Sequence, residues 1–438
     1  MPANESAPGA GQIKQKRPRG RPRKHPLAAA ANTAKVAKGR SKTGNVLTVE
    51  GEARNAFKDI ILQLANRHQG LMHSILAVSS KHIDFGAPYG TKILQENPST
   101  NEEALHQRGE YHHDEAMKRL YEDMAKPMDK DDPEYKTILA ARYGQMLCLL
   151  LQTRAEGNPR GEHRVHLQAY RNLIQHNPPD DPTLHTFITE FFQYHIYADD
   201  LFWHPETMTK RLSSEEWEPT MPIFPPRLIG VADGLFKHLS QITSIKNRIR
   251  ANMAASVDPA VDHSTLFRAS EIDGAIREWT PSWPPGDSRG RLGLLYKQMT
   301  WVYLFRTIYP PTPAPARRST IGSLPAAPLR RPSPEDQRIT LAVDESLSIL
   351  ESFKPSDPAQ TLLLIPCLIL GTASSGPSQQ QRIRAALKAV RGYTGLRNCD
   401  RVLELLEEVW RLMGQGDWAA VWDWQGVARR MDLNFSCA

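Results

Sequence analysis

The sequence predicts an all-α fold in which a large multi-helix domain follows a disordered basic N-terminal arm. Apolar residues recur at spacings of three and four in one segment after another, which is the pattern of helices with one buried face. Alternating apolar and polar residues, which would indicate strands, are scarce, and no strand-helix-strand spacing recurs. The first 44 residues show no regular spacing of apolar residues.

The arm, residues 1–44, is rich in Ala, Pro, Gly, Lys and Arg. It holds eleven Lys and Arg and one acid, Glu5, a balance of +10, whereas the whole chain of 438 residues has a formal charge of +7. The remainder therefore carries −3. The arm cannot bury enough apolar surface to offset the entropy lost on ordering, so we expect it to be disordered. The charge asymmetry indicates a polyanionic partner for the arm.

The helical pattern begins after the arm. Leu71, Ile75, Val78 and His82 follow one another at spacings of four, three and four, which places them on one face of a helix. The segment 138–153 is apolar on most sides, which predicts a buried central helix. The other segments with helical periodicity before residue 309 are 104–124, 163–176, 184–201, 228–254 and 292–308. The sequence NPPDDPT before residue 184 predicts a break with an N-cap for the next helix.

A proline-rich loop interrupts this series at residues 309–338, where eight of thirty residues are proline. Helical patterns then resume at 339–353, 361–373, 379–392, 399–413 and 418–431. The predicted domain thus spans residues 45–438 and contains roughly a dozen helices.

Several protein classes are excluded by the composition. The longest apolar run, Thr361–Gly371, is shorter than the about 20 residues that a membrane span needs, and it contains Pro366. We therefore expect no membrane partner. The four cysteines are far apart and form no Cys-x2-Cys pair, which fits a reducing compartment and gives no indication of a metal site: Cys148, Cys367, Cys399 and Cys437.

The strongest indication of function is a short motif at residues 16–24. Its residues are Lys16, Arg17, Pro18, Arg19, Gly20, Arg21, Pro22, Arg23 and Lys24. Arg-Gly-Arg-Pro stands at the centre, with another proline directly before it. The motif resembles an AT-hook, a short extended segment that binds the minor groove of A·T-rich double-stranded DNA.

Each residue type in the motif suits that groove. The A·T minor groove is narrow and strongly negative, which attracts Arg19 and Arg21. Gly20 has no Cβ, so the backbone can approach the groove floor. Pro18 and Pro22 keep the flanks extended, which lowers the entropy lost on docking. The remaining basic residues are expected to contact phosphates: Lys16, Arg17, Arg23 and Lys24. A nuclear localisation signal or a solvated basic tail is the alternative interpretation.

No catalytic residues, metal ligands or cofactors are predicted. The sequence has no phosphate-binding loop, no dinucleotide-binding glycine pattern and no hydrolase nucleophile turn. The C-terminal tryptophans are interpreted as packing anchors rather than as a ligand-binding cluster: Trp410, Trp418, Trp422 and Trp424. Two histidine pairs are interpreted as solvated helix residues: His112 with His113, and His163 with His166.

The helical body resembles the fungal-specific transcription factor domain over about residues 50–435. The likeness is carried by the order of four patterns: GLMHSILAVSSKHI, LIGVADGLFKHL at 228–239, LLLIPCLILGTA, and VWRLMGQGDWAAVWDWQGVARRM at 409–431. This family usually carries a binuclear zinc cluster that requires six cysteines, including two Cys-x2-Cys groups. No such group occurs in this sequence, and the AT-hook motif occupies the corresponding place.

The leading hypothesis is a nuclear DNA-binding transcription regulator without enzymatic activity. The arm would bind A·T-rich DNA, and the helical body would contact the transcription machinery or a second copy of the chain. The resemblance further implies a pathway-specific regulator, of the kind that controls fungal gene clusters for secondary metabolites. A chromatin-tethering scaffold without promoter selectivity is the alternative. A helical enzyme with an incidental basic tail is a third hypothesis, for which the sequence offers no cluster of catalytic residues.

Overall fold

The computed structural model describes most of the helical body. The described residues are 49, 55–86, 88–126, 129–207, 210–213, 227–228, 230–231, 233–284, 286–311 and 334–438. The motif at 16–24 and residues 312–333 of the predicted proline-rich loop lie outside this set.

Within these ranges the chain forms sixteen α-helices and no β-strand, which confirms the all-α prediction. In chain order they are α1 (Leu62–Ala65), α2 (Gln69–His82), α3 (Pro88–Glu96), α4 (Glu102–Ala125), α5 (Tyr135–Glu156), α6 (Glu162–His176), α7 (Pro182–Asp200), α8 (Leu235–Ala254), α9 (His263–Glu278), α10 (Ser288–Ile308), α11 (Pro334–Glu351), α12 (Leu364–Ala373), α13 (Pro377–Thr394), α14 (Asn398–Gly414), α15 (Trp418–Trp422) and α16 (Trp424–Arg430). None of these described helices is long and apolar enough to cross a membrane.

Helices α1, α2, α5 and α6 and the first half of α7 contribute to one apolar cluster around α5. Helix α2 packs against α4 and α5, and it buries Leu71 and Val78 on the face that their spacing predicts. Helix α5 is buried along most of its length, which confirms its prediction as a central helix. The ring of Tyr170 on α6 stacks on Phe192 of α7, with 4.0 Å between the centroids and an angle of 7°.

Helix α7 belongs to two apolar clusters. Its first half, including Phe187, packs with α5 and α6, and its last turns, including Tyr197, pack with the helices that follow. The predicted N-cap is confirmed: Asp181 precedes the helix and its carboxylate accepts hydrogen bonds from the backbone N–H groups of Thr183 and Leu184. Because both sides of α7 are buried, it connects the two halves of the core.

The second cluster surrounds α10 and α12. All ten residues of α12 are buried, and α12 packs against α10, α13 and α14. Gly371 allows this approach, because a Cβ at its position would lie 2.5 Å from Cδ1 of Leu406 on α14. The indole N–H of Trp410 donates to the carbonyl oxygen of Gly371 over 2.9 Å.

The helix predicted for 228–254 begins later, at Leu235. Gly230 and Gly234 have φ values of +76° and +86°, a left-handed conformation that ends regular structure in this segment. The carboxylate of Glu190 accepts hydrogen bonds of 2.7 to 3.0 Å from the backbone N–H groups of residues 227 and 228. The segment is therefore a glycine turn held by a buried acid on α7.

Three further features of the helices differ from the prediction. Helix α11 begins at Pro334, inside the predicted loop at 309–338, since proline is accommodated in a first helical turn. The segment 418–431 is two short helices separated at Asp423, not one helix. Helices α1, α3 and α9 were not predicted, so the count exceeds a dozen.

Candidate functional site

The nine residues predicted to contact DNA, at 16–24, lie outside the described residues. In the described body, the most unusual arrangement of polar groups lies where α8, α10 and α12 meet the C-terminal segment 421–425. It is centred on Lys246.

Lys246 occupies a core position of α8. Leu239, Ile242, Lys246 and Ile249 follow one another at spacings of three, four and three, so their side chains share one face. All four are buried, and Lys246 is only 2% exposed. A lysine is almost never buried to this extent without a charged partner.

The ammonium of Lys246 lies among three aromatic rings. Its nitrogen is 5.1 Å from the centroid of Trp422, 5.3 Å from that of Trp424 and 5.8 Å from that of Tyr303. Rings within about 6 Å attract a cation through their negative faces. The ammonium makes no hydrogen bond or ion pair with any residue that the structure describes.

Burial lowers the pKa of Lys246 well below its ordinary value. The positive charges of Arg250, on the same helix, and of Arg306, on α10, lower this pKa further. The carboxylate of Asp423 acts in the opposite direction but does not compensate. Burial is the largest of these causes.

Asp423 is the acid of this region, and it stands at the break between α15 and α16. Its Oδ1 lies 2.7 Å from Nε and 2.6 Å from Nη2 of Arg250. Its Oδ2 lies 3.8 Å from Nε2 of His204. Burial opposes ionisation of Asp423, but the contact with His204 and the charges of Arg250 and Lys246 outweigh it and lower the pKa to about 2.

Hydrogen bonds also fix the aromatic residues. The hydroxyl of Tyr303 lies 2.9 Å from that of Thr243 and accepts from the amide of Gln425 over 3.1 Å. The oxygen of the same amide accepts from Nη2 of Arg250 over 2.6 Å. The indole N–H of Trp422 donates to the backbone carbonyl of residue 307 over 3.2 Å. The rings beside the lysine are thus held in place by the backbone and by each other.

A second polar cluster lies at the end of α7. Oδ1 of Asp199 is 3.0 Å from Nε2 of His163, and its Oδ2 pairs with the guanidinium of Arg164. The adjacent Asp200 is fully buried, accepts from the hydroxyl of Ser213 and pairs with Arg211 at 3.1 Å. These contacts tie residues 210–213 to α6 and α7. Both aspartates are paired with an arginine, although Oδ1 of Asp200 makes no hydrogen bond, and we interpret this cluster as structural.

The structure corrects one interpretation of the histidines and refines that of the tryptophans. His163 is 1% exposed and hydrogen-bonded, not solvated. Trp410, Trp422 and Trp424 are buried packing residues as predicted, whereas Trp418 is 38% exposed. Among the described residues, no group of three or more His, Cys, Asp or Glu side chains could hold a metal ion.

Sequence reasoning did not identify Lys246. The available signal was a lysine at a position where the helical periodicity demands an apolar residue, between Ile242 and Ile249. The tryptophans beside it come from a segment more than 170 residues later. The contact between the lysine and the tryptophans depends on the tertiary fold, so neither local sequence pattern alone reveals it.

A family model matches this chain over residues 42–438, and its description is the fungal specific transcription factor domain. The match covers the whole described body. No curated protein and no solved structure matches the chain.

Proposed function

The chain belongs to the fungal-specific transcription factor domain family and acts in transcription regulation, and on this premise we propose that it is a nuclear regulator that binds DNA through its basic arm. The arm docks in the minor groove of A·T-rich double-stranded DNA. The helical body contacts the transcription machinery, or a second copy of the chain, and performs no catalysis.

The observation that carries this proposal is the Arg-Gly-Arg-Pro centre of the motif at 16–24, preceded by Pro18. Arg19 and Arg21 extend along the groove floor in opposite directions, where the A N3 and T O2 acceptors lie. The basic residues on either side contact phosphates, which adds affinity without adding sequence information. The zinc cluster that is usual in this family needs cysteine pairs that this sequence does not contain.

The direct test is a binding titration of the full-length protein. The wild type and an Arg19→Ala/Arg21→Ala double variant are titrated against an A·T-rich and a G·C-rich duplex at two salt concentrations. We expect the wild type to prefer the A·T-rich duplex. The double variant should lose about tenfold or more in affinity for that duplex and retain little preference, because each good groove contact contributes about 1–3 kcal/mol.

The matched control is a Lys38→Ala/Arg40→Ala double variant, which removes two positive charges from the same arm outside the motif. It should weaken binding to both duplexes equally and reduce the salt dependence. If the Arg19→Ala/Arg21→Ala variant behaves in the same way as this control, the arm acts only as a polycation and the groove-binding proposal is wrong.

The target pathway is proposed from the family alone. Members with this domain commonly regulate single metabolic pathways, so we propose control of a gene cluster for a secondary metabolite. The competing proposal is a chromatin-tethering scaffold. Mapping of genomic occupancy distinguishes them: binding restricted to a small set of promoters supports the regulator, whereas occupancy that follows A·T content across the genome supports the scaffold.

A further inference from the structure

Three aromatic side chains form a row along one side of α10. We name this row, Trp301, Phe305 and Tyr309, the aromatic ladder; its members follow one another at spacings of four, so they share one side of the helix. The rings of Trp301 and Phe305 stack with 4.2 Å between their centroids, and those of Phe305 and Tyr309 are 6.2 Å apart. Trp301 and Phe305 are half-buried, and Tyr309 is 49% exposed. The ladder is about 12 Å long, since α-helical residues rise about 1.5 Å each.

Helix α11 adds an apolar residue beside the aromatic ladder. The amide of Gln298 on α10 donates to Glu345 on α11 over 3.1 Å. The guanidinium of Arg291, near the start of α10, lies 5.6 Å from the ring of Phe353, just beyond the end of α11. The two helices are therefore antiparallel. Leu341, which is 60% exposed, stands one turn before Glu345 and so lies beside the ladder. Contiguous exposed apolar side chains of this kind mark binding surfaces.

The ladder also offers unpaired hydrogen-bond donors. The indole N–H of Trp301 and the hydroxyl of Tyr309 make no hydrogen bond with any residue that the structure describes. A chain in the polyproline II conformation has no internal hydrogen bonds, so its carbonyl oxygens are available as acceptors. Proline-rich segments in this conformation bind to grooves lined by aromatic residues. The aromatic ladder therefore has the apolar surface and the donors that suit an extended proline-rich ligand.

A proline-rich segment connects the two helices of this surface. Residues 312–333, which lie outside the described residues, hold five prolines, four arginines and no acid. Because α10 and α11 are antiparallel, the chain leaves α10 and enters α11 at the same end of the pair, next to Tyr309. A connection between neighbouring helices usually takes about 2–8 residues, and this one is far longer. Its length is enough to run along the about 12 Å of the ladder and return.

Two prolines of this segment have the spacing that the ladder requires. Pro325 and Pro328 are three residues apart, and the polyproline II helix has three residues per turn, so both fall on one face. Pro328 precedes the start of α11 by six residues. In this conformation six residues span about 19 Å, so the pair can reach any part of the ladder. Pro310 and Pro313 have the same spacing, but they directly follow Tyr309, and the chain must reverse before it can lie along the ladder.

We propose that the aromatic ladder is the docking surface for this chain's own segment 324–329, Leu-Pro-Ala-Ala-Pro-Leu. The prolines and leucines of the segment pack on the three rings and on Leu341. Its backbone carbonyls accept hydrogen bonds from the indole of Trp301 and the hydroxyl of Tyr309. The prolines already restrict the backbone, which lowers the entropy lost on docking. The covalent connection keeps the segment at a high effective concentration beside the ladder.

Trypsin cleavage of the full-length protein tests this proposal. Arg330 follows Pro328 by two residues, so docking shields the bond after it, whereas Arg318 lies outside the docked stretch and serves as the internal reference. The ratio of the initial cleavage rates after Arg330 and after Arg318 is measured in the protein and in a synthetic peptide of residues 312–333. We expect this ratio to be at least about tenfold lower in the protein, because proteolysis follows the population of the open form.

Substitutions on both sides of the contact separate docking from mere nearness to α11. Tyr309→Ser removes one ring of the ladder, and Pro325→Ala/Pro328→Ala removes both prolines of the ligand. Each change should raise the relative cleavage after Arg330 at least about fivefold, since each increases the population of the undocked segment. The ratio for the proline variant is referred to a synthetic peptide with the same two substitutions.

Two matched controls accompany these variants. Tyr121→Ser removes a tyrosine on α4 that is 63% exposed, and Pro313→Ala/Pro315→Ala removes two prolines outside the docked stretch. Both should retain the wild-type ratio. If the wild-type protein shows no protection after Arg330, or if the protection persists unchanged in the ladder variant and the proline variant, the proposal is wrong.

A replaced segment tests which chain supplies the ligand. In the full-length protein, residues 312–333 are exchanged for a Gly-Ser linker of equal length, and binding of a fluorescent peptide of residues 312–333 is followed by anisotropy. We expect saturable binding to the linker variant and none to the wild type, whose own segment competes at high effective concentration. Equal binding to both proteins would assign the ladder to a proline-rich segment of another protein, and binding to neither would exclude such a ligand. Either result overturns the proposal. A dimeric mass of the wild type in light scattering that is lost in the linker variant would overturn it in favour of exchange between two copies.

Discussion

Replacement of Asp423 by asparagine should destabilise the protein by about 2–3 kcal/mol at pH 7. The folded-state pKa of this carboxyl is about 2, against about 3.9 for an aspartate in an unfolded chain. A difference of about two units corresponds to about 2.6 kcal/mol of stability. Because the folded pKa is depressed, this stability is fully present above about pH 5 and is lost as the pH falls toward 2. About half of it should remain at pH 3.

The measurement is the free energy of urea unfolding for the wild type and Asp423→Asn at pH 7, 4 and 3. The difference between the two proteins should be largest at pH 7 and should shrink at each lower pH. Asp180→Asn is the control, because Asp180 is 63% exposed and pairs with Lys136 at the surface. It should change the free energy of unfolding by less than about 1 kcal/mol. A difference for Asp423→Asn that is below 1 kcal/mol at pH 7, or that does not change with pH, would refute the electrostatic role assigned to this carboxylate.

Two further substitutions test the packing of the body by urea unfolding at pH 7. Asp199→Ala leaves the nearly buried guanidinium of Arg164 without its carboxylate. We therefore expect the free energy of unfolding to fall by about 3–5 kcal/mol. A decrease of less than about 1 kcal/mol would contradict the structural role of that cluster. Gly371→Ala introduces a Cβ 2.5 Å from Leu406 and should lower the free energy of unfolding by about 1–3 kcal/mol. The Cβ of Gly392→Ala on α13 would meet nothing within 4 Å, so this variant should instead raise the free energy of unfolding by about 0.5–1 kcal/mol. Equal effects of the two glycine substitutions would contradict the close approach of α12 and α14.

The helices predicted from the sequence are those with a clear apolar face or, as in α5 and α12, an almost continuous apolar run. Helix α2 buries Leu71 and Val78, and α5 is buried on most sides, as their sequences indicate. Helix α9 was overlooked although Ala269, Ile272 and Ile276 are spaced by three and four, because its other residues are mixed in character. A face of three small or β-branched residues becomes recognisable as a core face only when its neighbours are known.

The features that sequence reasoning missed depend on contacts between distant segments. The glycine turn before α8 is held by Glu190, about 40 residues earlier. The break at Asp423 is held by Arg250, which lies 173 residues away along the chain. The local sequence of each segment does not contain its partner residue. The periodicity therefore predicted one continuous helix for 228–254 and one for 418–431. The aromatic rings around Lys246 were not predicted for the same reason.

The distribution of charge limits what the arm can achieve by itself. Residues 1–44 carry +10 and the rest of the chain −3, so in the proposed function the electrostatic attraction to DNA would be concentrated in the arm. A single hook distinguishes only A·T from G·C pairs, and a genome offers a very large number of such sites. Promoter selectivity therefore requires a second binding event tethered to the first, either through a second copy of this chain or through a partner of the body.

A duplex with two A·T tracts separates these cases for the purified full-length protein. If the body self-associates, binding to this duplex should be at least about tenfold tighter than binding to a duplex with one tract, since the second arm then acts at high effective concentration. A monomeric body gains only the statistical factor of about two from the second site. The second result would place selectivity in a partner protein, because neither the arm nor a second copy would then supply it.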